Sequence, residues 1–211
     1  MRGVLGIDEA GRGPVFGPMV VAGVLGPDER PGIGARDSKR MTPSARRRKL
    51  LEILRDERLT VDVEIVWPWE IDEEGVNEAE LRAMSALIRR HRPDLALVDK
   101  PGNYDPDRVR RALRPPKGVT VIAEDRADER YEIVSAASIV AKTYRDWIVR
   151  LLELEFGVEV GSGYPSDPRT VRALRRELRR RGPLLEYFRR SWSTYDRLAS
   201  ELGQSTLDEF V

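Results

Sequence analysis

Residues Tyr131 to about Phe156 read as one uninterrupted helix, and this helix constrains the rest of the chain most. Ala136, Ala137, Ile139, Val140, Ile148, Leu151 and Leu152 recur at helical spacing and make its buried face. The block Ser135-Ala136-Ala137-Ser138-Ile139-Val140-Ala141-Lys142 carries side chains small enough for a sheet to approach closely. The other segments supply that sheet. Val4–Ile7 and Val15–Leu25 are predicted strands, with Gly11-Arg12-Gly13-Pro14 as a tight turn between them. Thr42-Pro43 opens a helix to about Glu57, with threonine as cap and proline at the first helical position. Leu59–Trp67 is a strand that Pro68 ends. Asn77 with Glu80 three residues later has the spacing of a capping box. The stripe Leu81, Met84, Leu87 and Ile88 follows it, and Pro93 closes that helix. Leu95–Val98 and Val119–Ala123 are short strands, and Arg108–Leu113 makes one or two helical turns. Pro168–Arg181 is a basic helix, Leu184–Phe188 begins another element, and Thr194–Leu202 is a last short helix. This order predicts a mixed α/β sheet flanked by helices. The simplest division is one domain over 1–190 and a C-terminal extension over 191–211.

Composition limits the chemistry. The 211 residues include no cysteine and one histidine, His91. That excludes disulfides, thiolate nucleophiles and soft-metal sites. A metal here must sit among oxygens, which suits Mg²⁺ or Mn²⁺. The start meets Asp8 and Glu9 before any apolar run long enough for a secretory signal, and no stretch is long enough to span a membrane. A cytoplasmic location is expected. The net charge of +1 hides segregation. Arg36–Lys49 holds seven basic residues and one acid, and Arg169–Arg190 holds nine and two. Asp56–Arg82 holds ten acids and two arginines. Basic segments on a near-neutral chain fit a polyanion footprint, or simply charged helix surfaces.

Four acids sit near strand ends. Asp8 and Glu9 close the first strand, Asp99 closes another, and Asp128 lies just before the long helix. Open sheets place ligands at strand ends. Carboxylates that converge repel one another and call for cations. Asp128 could equally be a helix cap. The glycines of Gly11-Arg12-Gly13 let backbone N–H groups face a phosphate or a sugar hydroxyl. Asp37-Ser38-Lys39 puts a lysine and a hydroxyl in a loop before a basic helix, and Lys142 of the serine–alanine block lies near the site. Tyr164 in Gly161-Ser162-Gly163-Tyr164-Pro165-Ser166-Asp167 is a ring that can stack on a sugar or base.

These segments, together with Gly6-Ile7-Asp8-Glu9-Ala10-Gly11-Arg12-Gly13-Pro14, Leu97-Val98-Asp99 and the serine–alanine block, resemble the ribonuclease HII family, and its archaeal members more than its bacterial ones. The resemblance runs from residue 6 to about 196. It implies an RNase H-like sheet with a helical C-terminal extension. It also implies a metal-dependent endonuclease that cuts the RNA strand of RNA–DNA hybrids and ribonucleotides embedded in duplex DNA. Asp8, Glu9, Asp99 and Asp128 would be the catalytic and metal-binding carboxylates. Gly11, Arg12 and Gly13 would contact the backbone around the ribonucleotide 2′-OH, and Tyr164 would stack on the sugar at the RNA–DNA junction. Lys39 would hold a phosphate, with Lys142 as a second contact. The chain departs from the family pattern at Asp125-Arg126, where a histidine and a lysine are usual, and at Lys100, where a small residue is usual.

The ending Gln204-Ser205-Thr206-Leu207-Asp208-Glu209-Phe210-Val211 resembles the peptide that docks on the sliding clamp of archaeal and eukaryotic replication. One helical or 3₁₀ turn would put Gln204, Leu207 and Phe210 in register for that role. Val211 replaces the usual second aromatic. The expected protein is a monomer. Competing readings are an RNase H-like nuclease of other specificity and a non-catalytic nucleic-acid-binding domain. A serine hydrolase has poor support, since His91 sits between two arginines at a helix end.

Overall fold

The computed structural model describes residues 3–35, 41–102 and 104–208. Its strands are β1 (Val4–Ala10), β2 (Met19–Gly26), β3 (Thr60–Val66), β4 (Leu95–Asp99) and β5 (Thr120–Glu124). They lie in the order β3-β2-β1-β4-β5. β1 pairs antiparallel with β2, and β2 with β3, whereas β1–β4 and β4–β5 are parallel. The sheet is mixed, as the alternation of elements predicts.

Side chains alternate between the two faces of the sheet. Leu5, Ile7, Val21 and Val98 enter one core, and Val20, Ala22, Val24 and Leu97 enter the other. The first core is covered by α2 (Pro68–Glu74), α3 (Val76–His91) and α4 (Pro106–Leu113), through Ile71, Met84, Leu87 and Val109. The second is covered by α1 (Pro43–Arg55) and α6 (Glu132–Phe156), through Leu50, Ile53, Ala136, Ala137 and Val140. A short helix, α5 (Ala127–Arg130), leads into α6. A third core joins the second half of α6 to α7 (Pro168–Arg180), the 3₁₀ turn Pro183–Tyr187 and α8 (Ser193–Asp208). Val15 and Phe16 from the β1–β2 connection are buried in it.

α6 lies on β1 with almost no space between them. A methyl group at Gly6 would stand 2.5 Å from the carbonyl carbon and oxygen of Ile133. Ser135, Ala136, Ala137 and Ser138 are completely buried along the same stretch. The small side chains of the block therefore serve backbone-to-backbone proximity, as the sequence predicts.

Several local expectations are corrected. β2 begins at Met19 rather than Val15, because the preceding residues turn to other partners. Val15 and Phe16 donate to the Gly163 carbonyl, and Gly17 donates to that of Tyr187. α2 was not expected. Pro68 stands at its first turn, and the Glu70 carboxylate accepts from the Trp67 amide. The Asn77–Glu80 capping box does not form, since Gly75 caps α3 and both side chains bond to Arg12 instead. Leu151 is 64 % exposed, not buried. α8 continues past Leu202, so its backbone includes Gln204 and Leu207. Lys39 and Phe210 lie outside the described residues. Among the described residues, no helix is long and apolar enough to cross a membrane.

Gly6→Ala should destabilise the protein by roughly 1–3 kcal/mol, the usual effect of overpacking. Since about 1 kcal/mol moves Tm by roughly 2–4 °C in a chain of this length, thermal melts of the variant should fall several degrees below wild type. An unchanged Tm would refute the close approach.

Candidate active site

The β1–β4 ladder ends with Ile7 opposite Val98. The next residues on the two strands are Asp8 and Asp99. Parallel pairing thus delivers two carboxylates to the same sheet end, and Glu9 follows directly. Oxygens of Asp8, Glu9 and Asp99 lie within 4.8 Å of one another. Asp8 is on the α6 side of β1 and is 4 % exposed. It takes a hydrogen bond from Ser138, whose hydroxyl accepts in turn from Lys142 Nζ at 2.7 Å. Asp8 Oδ1 also accepts from the Glu9 amide at 2.8 Å. Asp99 Oδ1 accepts from the Ala127 amide at 2.8 Å, which pins α5 to the end of β4. Asp128, the next residue, is buried there but is not part of the group of three.

Burial pushes the Asp8 carboxyl well above the ordinary carboxylate range, and the charges of Glu9 and Asp99 push it further. Ser138 and Lys142 pull only partly the other way. Burial likewise raises Glu9; its contact with Asp8 lowers it, Asp99 raises it, and Arg12 lowers it. Crowded carboxylates resist ionising together, and a hard cation among them relieves both the burial and the repulsion. The donor set therefore fits Mg²⁺ or Mn²⁺.

A cleft of about 340 Å³ opens beside the acids, lined by Glu9, Gly11, Arg12, Gly13, Lys142 and Tyr164 among others. These residues were all expected at the site, and the fold brings them together. A larger groove of about 630 Å³ between α3 and α4 contains none of them. The Tyr164 ring packs over Gly13, 3.3 Å from where a side chain would begin, and is itself 44 % exposed. Gly11 has φ 99°, and a Cβ there would meet Arg145 Cδ at 2.5 Å. Only glycine suits that position. The Arg12 side chain is bound to Glu80 and Asn77 on α3, and Glu80 is fully buried.

Two buried arginines packed against the turn, of which Arg145 also lines the cleft, were not anticipated as site residues. Arg189 donates to the carbonyls of Arg12 at 2.8 Å, Gly11 at 2.5 Å and Gly17 at 3.1 Å. Arg145 donates to Phe16 and Ser162 carbonyls at 3.3 and 3.4 Å. Burial, together with the neighbouring Arg145 charge, pulls Arg189 down to about 9. Burial also lowers Arg145. Trp192 lies under the Arg189 guanidinium, 4.8 Å from ring centroid to Cζ, and its Nε1 donates to the Gly13 carbonyl at 3.1 Å. The available signal was an arginine and a tryptophan following a phenylalanine, Phe188-Arg189-Arg190-Ser191-Trp192. A count of basic charge conceals it.

The two departures from the family pattern meet each other. Lys100 Nζ lies 3.2 Å from Asp125 Oδ1 and donates to the Tyr104 carbonyl at 2.6 Å. The extra negative charge next to α5 is thus answered by an extra positive one beside Asp99.

The family model for Ribonuclease HII matches residues 5–195. A ribonuclease HII of Methanopyrus kandleri is 69% identical over 210 residues, covering 100% of both chains. The crystal structure of the ribonuclease H2 from Pyrococcus horikoshii OT3 superposes with a TM-score of 0.83 at 39% identity, covering 94% of this chain and 97% of that one. The ribonuclease HII in the PCNA:RNase HII complex from Archaeoglobus fulgidus gives 0.80 at 37%, covering 92% and 96%. The sheet, the acidic cluster and these likenesses agree: the chain belongs to the ribonuclease HII family, type 2 ribonucleases H with an RNase H-like fold that hydrolyse RNA in RNA–DNA hybrids.

Proposed function

We propose that the chain is an endoribonuclease that hydrolyses the RNA strand of RNA–DNA hybrids and cuts on the 5′ side of ribonucleotides embedded in duplex DNA. The products are a 3′-hydroxyl and a 5′-phosphate. The observation that carries this reading is the convergence of Asp8, Glu9 and Asp99 within 4.8 Å beside the Gly11–Gly13 turn and Tyr164. Asp8, Glu9 and Asp99 hold the cations, Mg²⁺ or Mn²⁺. Asp128 completes the set, supported by its burial on α5 and by the Ala127–Asp99 bond next to it. Two such ions, when bound, supply an activated water and the charge that stabilises the leaving 3′-oxygen.

The chain's own residues orient the substrate. Backbone groups of Gly11, Arg12 and Gly13 meet the 2′-OH, the donor and acceptor that DNA lacks. Tyr164 stacks on the sugar at the junction. Lys142 and Lys39 contact phosphates. Lys142 also holds Ser138, which holds Asp8. The basic helices α1 and α7 bind duplex phosphates without reading sequence, so affinity falls with salt. Residues 1–190 form the catalytic unit, and 191–211 form an extension that ends in a clamp-binding peptide with Gln204, Leu207 and Phe210. The complex of the Archaeoglobus fulgidus relative with PCNA supports that partner. A monomer in the cytoplasm suits this work.

Asp8→Asn or Asp99→Asn should lower cleavage of a duplex with one embedded ribonucleotide about a hundredfold or more, near 3 kcal/mol of barrier. Substrate binding should survive. Normal turnover by either variant in Mg²⁺ would sink the assignment.

Stability offers an independent check. Asp8 is raised in the folded state, so the folded protein holds a proton that the unfolded chain releases near pH 4. Metal-free wild type must therefore lose stability relative to Asp8→Asn as pH rises from 4 to 7. The difference in Tm should widen steadily up to pH 7, and saturating Mn²⁺, which the wild-type carboxylates bind more tightly, should reverse it. A pH-independent difference would contradict the buried, crowded site.

Tyr164→Ala should slow cleavage at a single ribonucleotide about tenfold, the scale of one stacking contact. An unchanged rate would remove Tyr164 from recognition. Calorimetric titration of a peptide spanning 204–211 into an archaeal sliding clamp should give saturable binding. No heat at high micromolar peptide would reject the clamp.

A further inference from the structure

The Gly11–Gly13 turn is held from behind by a cation that has no carboxylate partner. Arg189 is completely buried; its two terminal nitrogens donate to the carbonyls of Gly11, Arg12 and Gly17, and its Nε has no hydrogen-bond partner among the described residues. No ion pair to Arg189 is formed among the described residues. The charges that act on it are another arginine, Arg145, which opposes it, and Asp72, which favours it. A buried cation of this kind is tolerated only where oriented dipoles answer it. The dipoles used here are peptide groups of the turn itself.

Peptide geometry gives this arrangement a direction. In a planar trans peptide the C=O and the following N–H point opposite ways. Drawing the Gly11 and Arg12 carbonyls back onto Arg189 aims the N–H groups of Arg12 and Gly13 forward. Neither N–H finds an acceptor among the described residues. The same turn lines the cleft beside Glu9. A cation on the carbonyl side also polarises each peptide and makes its N–H a stronger donor. Trp192 fixes the next carbonyl, Gly13, through Nε1 and stacks on the guanidinium.

We propose that Arg189, backed by Trp192, is a positioning residue for ribose selectivity: it orients and polarises the two forward-facing N–H groups that meet the 2′-OH. This rests on the reading of the Gly11–Gly13 turn given above. Arg189 touches neither substrate nor metal. Lysine cannot replace it, because one ammonium on a flexible stem does not span three carbonyls.

The test measures discrimination, not rate. In an Asp8→Asn background, which blocks turnover, fluorescence anisotropy gives Kd for duplex DNA with one embedded ribonucleotide and for the all-deoxy duplex of the same sequence. Arg189→Lys should bring the ratio of the two affinities about tenfold closer to one, the scale of one lost hydrogen bond. Affinity for the all-deoxy duplex should change less than about twofold, because the phosphate contacts lie elsewhere. A merely structural role would weaken both duplexes alike. Trp192→Phe keeps the ring and removes the Nε1–H donor, so its ratio should fall by a smaller factor. Thermal melts establish that each variant is folded. A folded Arg189→Lys protein with the parent's ratio overturns the proposal. If that variant fails to fold, an unchanged ratio in Trp192→Phe overturns it instead. A parent protein that does not discriminate overturns the ribose-reading turn itself, and this proposal with it.

Discussion

The contact on which the rest depends is the seating of α6 against β1 at Gly6. With no side chain at Gly6, the Ile133 backbone comes within reach of the strand. That depth sets the register of everything further along the helix. Ser138 reaches Asp8, and Lys142, one turn later, reaches Ser138. A helix standing further from the sheet would leave the buried Asp8 carboxyl without its hydroxyl partner. The packing of small residues and the electrostatics of the acid are therefore one arrangement seen at two positions. The same helix then supplies Arg145 to the back of the glycine turn and Val149 and Leu152 to the third core.

Burial works in opposite ways on the two sides of the site. On the cleft side it crowds carboxylates and raises Asp8 and Glu9, and a hard cation would relieve both the burial and the repulsion. Behind the turn it strips water from two arginines and leaves them only carbonyl oxygens. The carboxylates stand beside the open cleft, and the arginines bind carbonyl oxygens of the fold through their terminal nitrogens. The Gly11–Gly13 turn lies between them.

Much of the site was legible because its residues sit at element ends with local signatures. Asp8, Glu9 and Asp99 follow short apolar strands, and the glycines and Tyr164 lie in turns with few other uses. The strands, the long helix and its buried small face were legible from periodicity. What was not legible depended on partners far away in sequence. Asn77 and Glu80 have the spacing of a cap, and nothing local reveals that Arg12, 65 and 68 positions away, takes both. Val15–Gly17 has strand composition, yet Gly163 and Tyr187 claim its amides. α2 was hidden because Pro68 ends one element and begins the next. Arg189 was lost among its neighbours because a sequence shows charge without showing depth.

The span between Gly11 and Arg189 also has a consequence in time. A chain made from its N-terminus has all four acids, Asp8, Glu9, Asp99 and Asp128, well before Arg189 exists. The peptide groups of the glycine turn gain their buried cation only when the 188–192 segment has emerged and folded back, as late, long-range contacts must. The fold thus completes its acids first and its discrimination last. A polypeptide truncated before Arg189 would keep the carboxylates of the centre while lacking the part that tells one sugar from another.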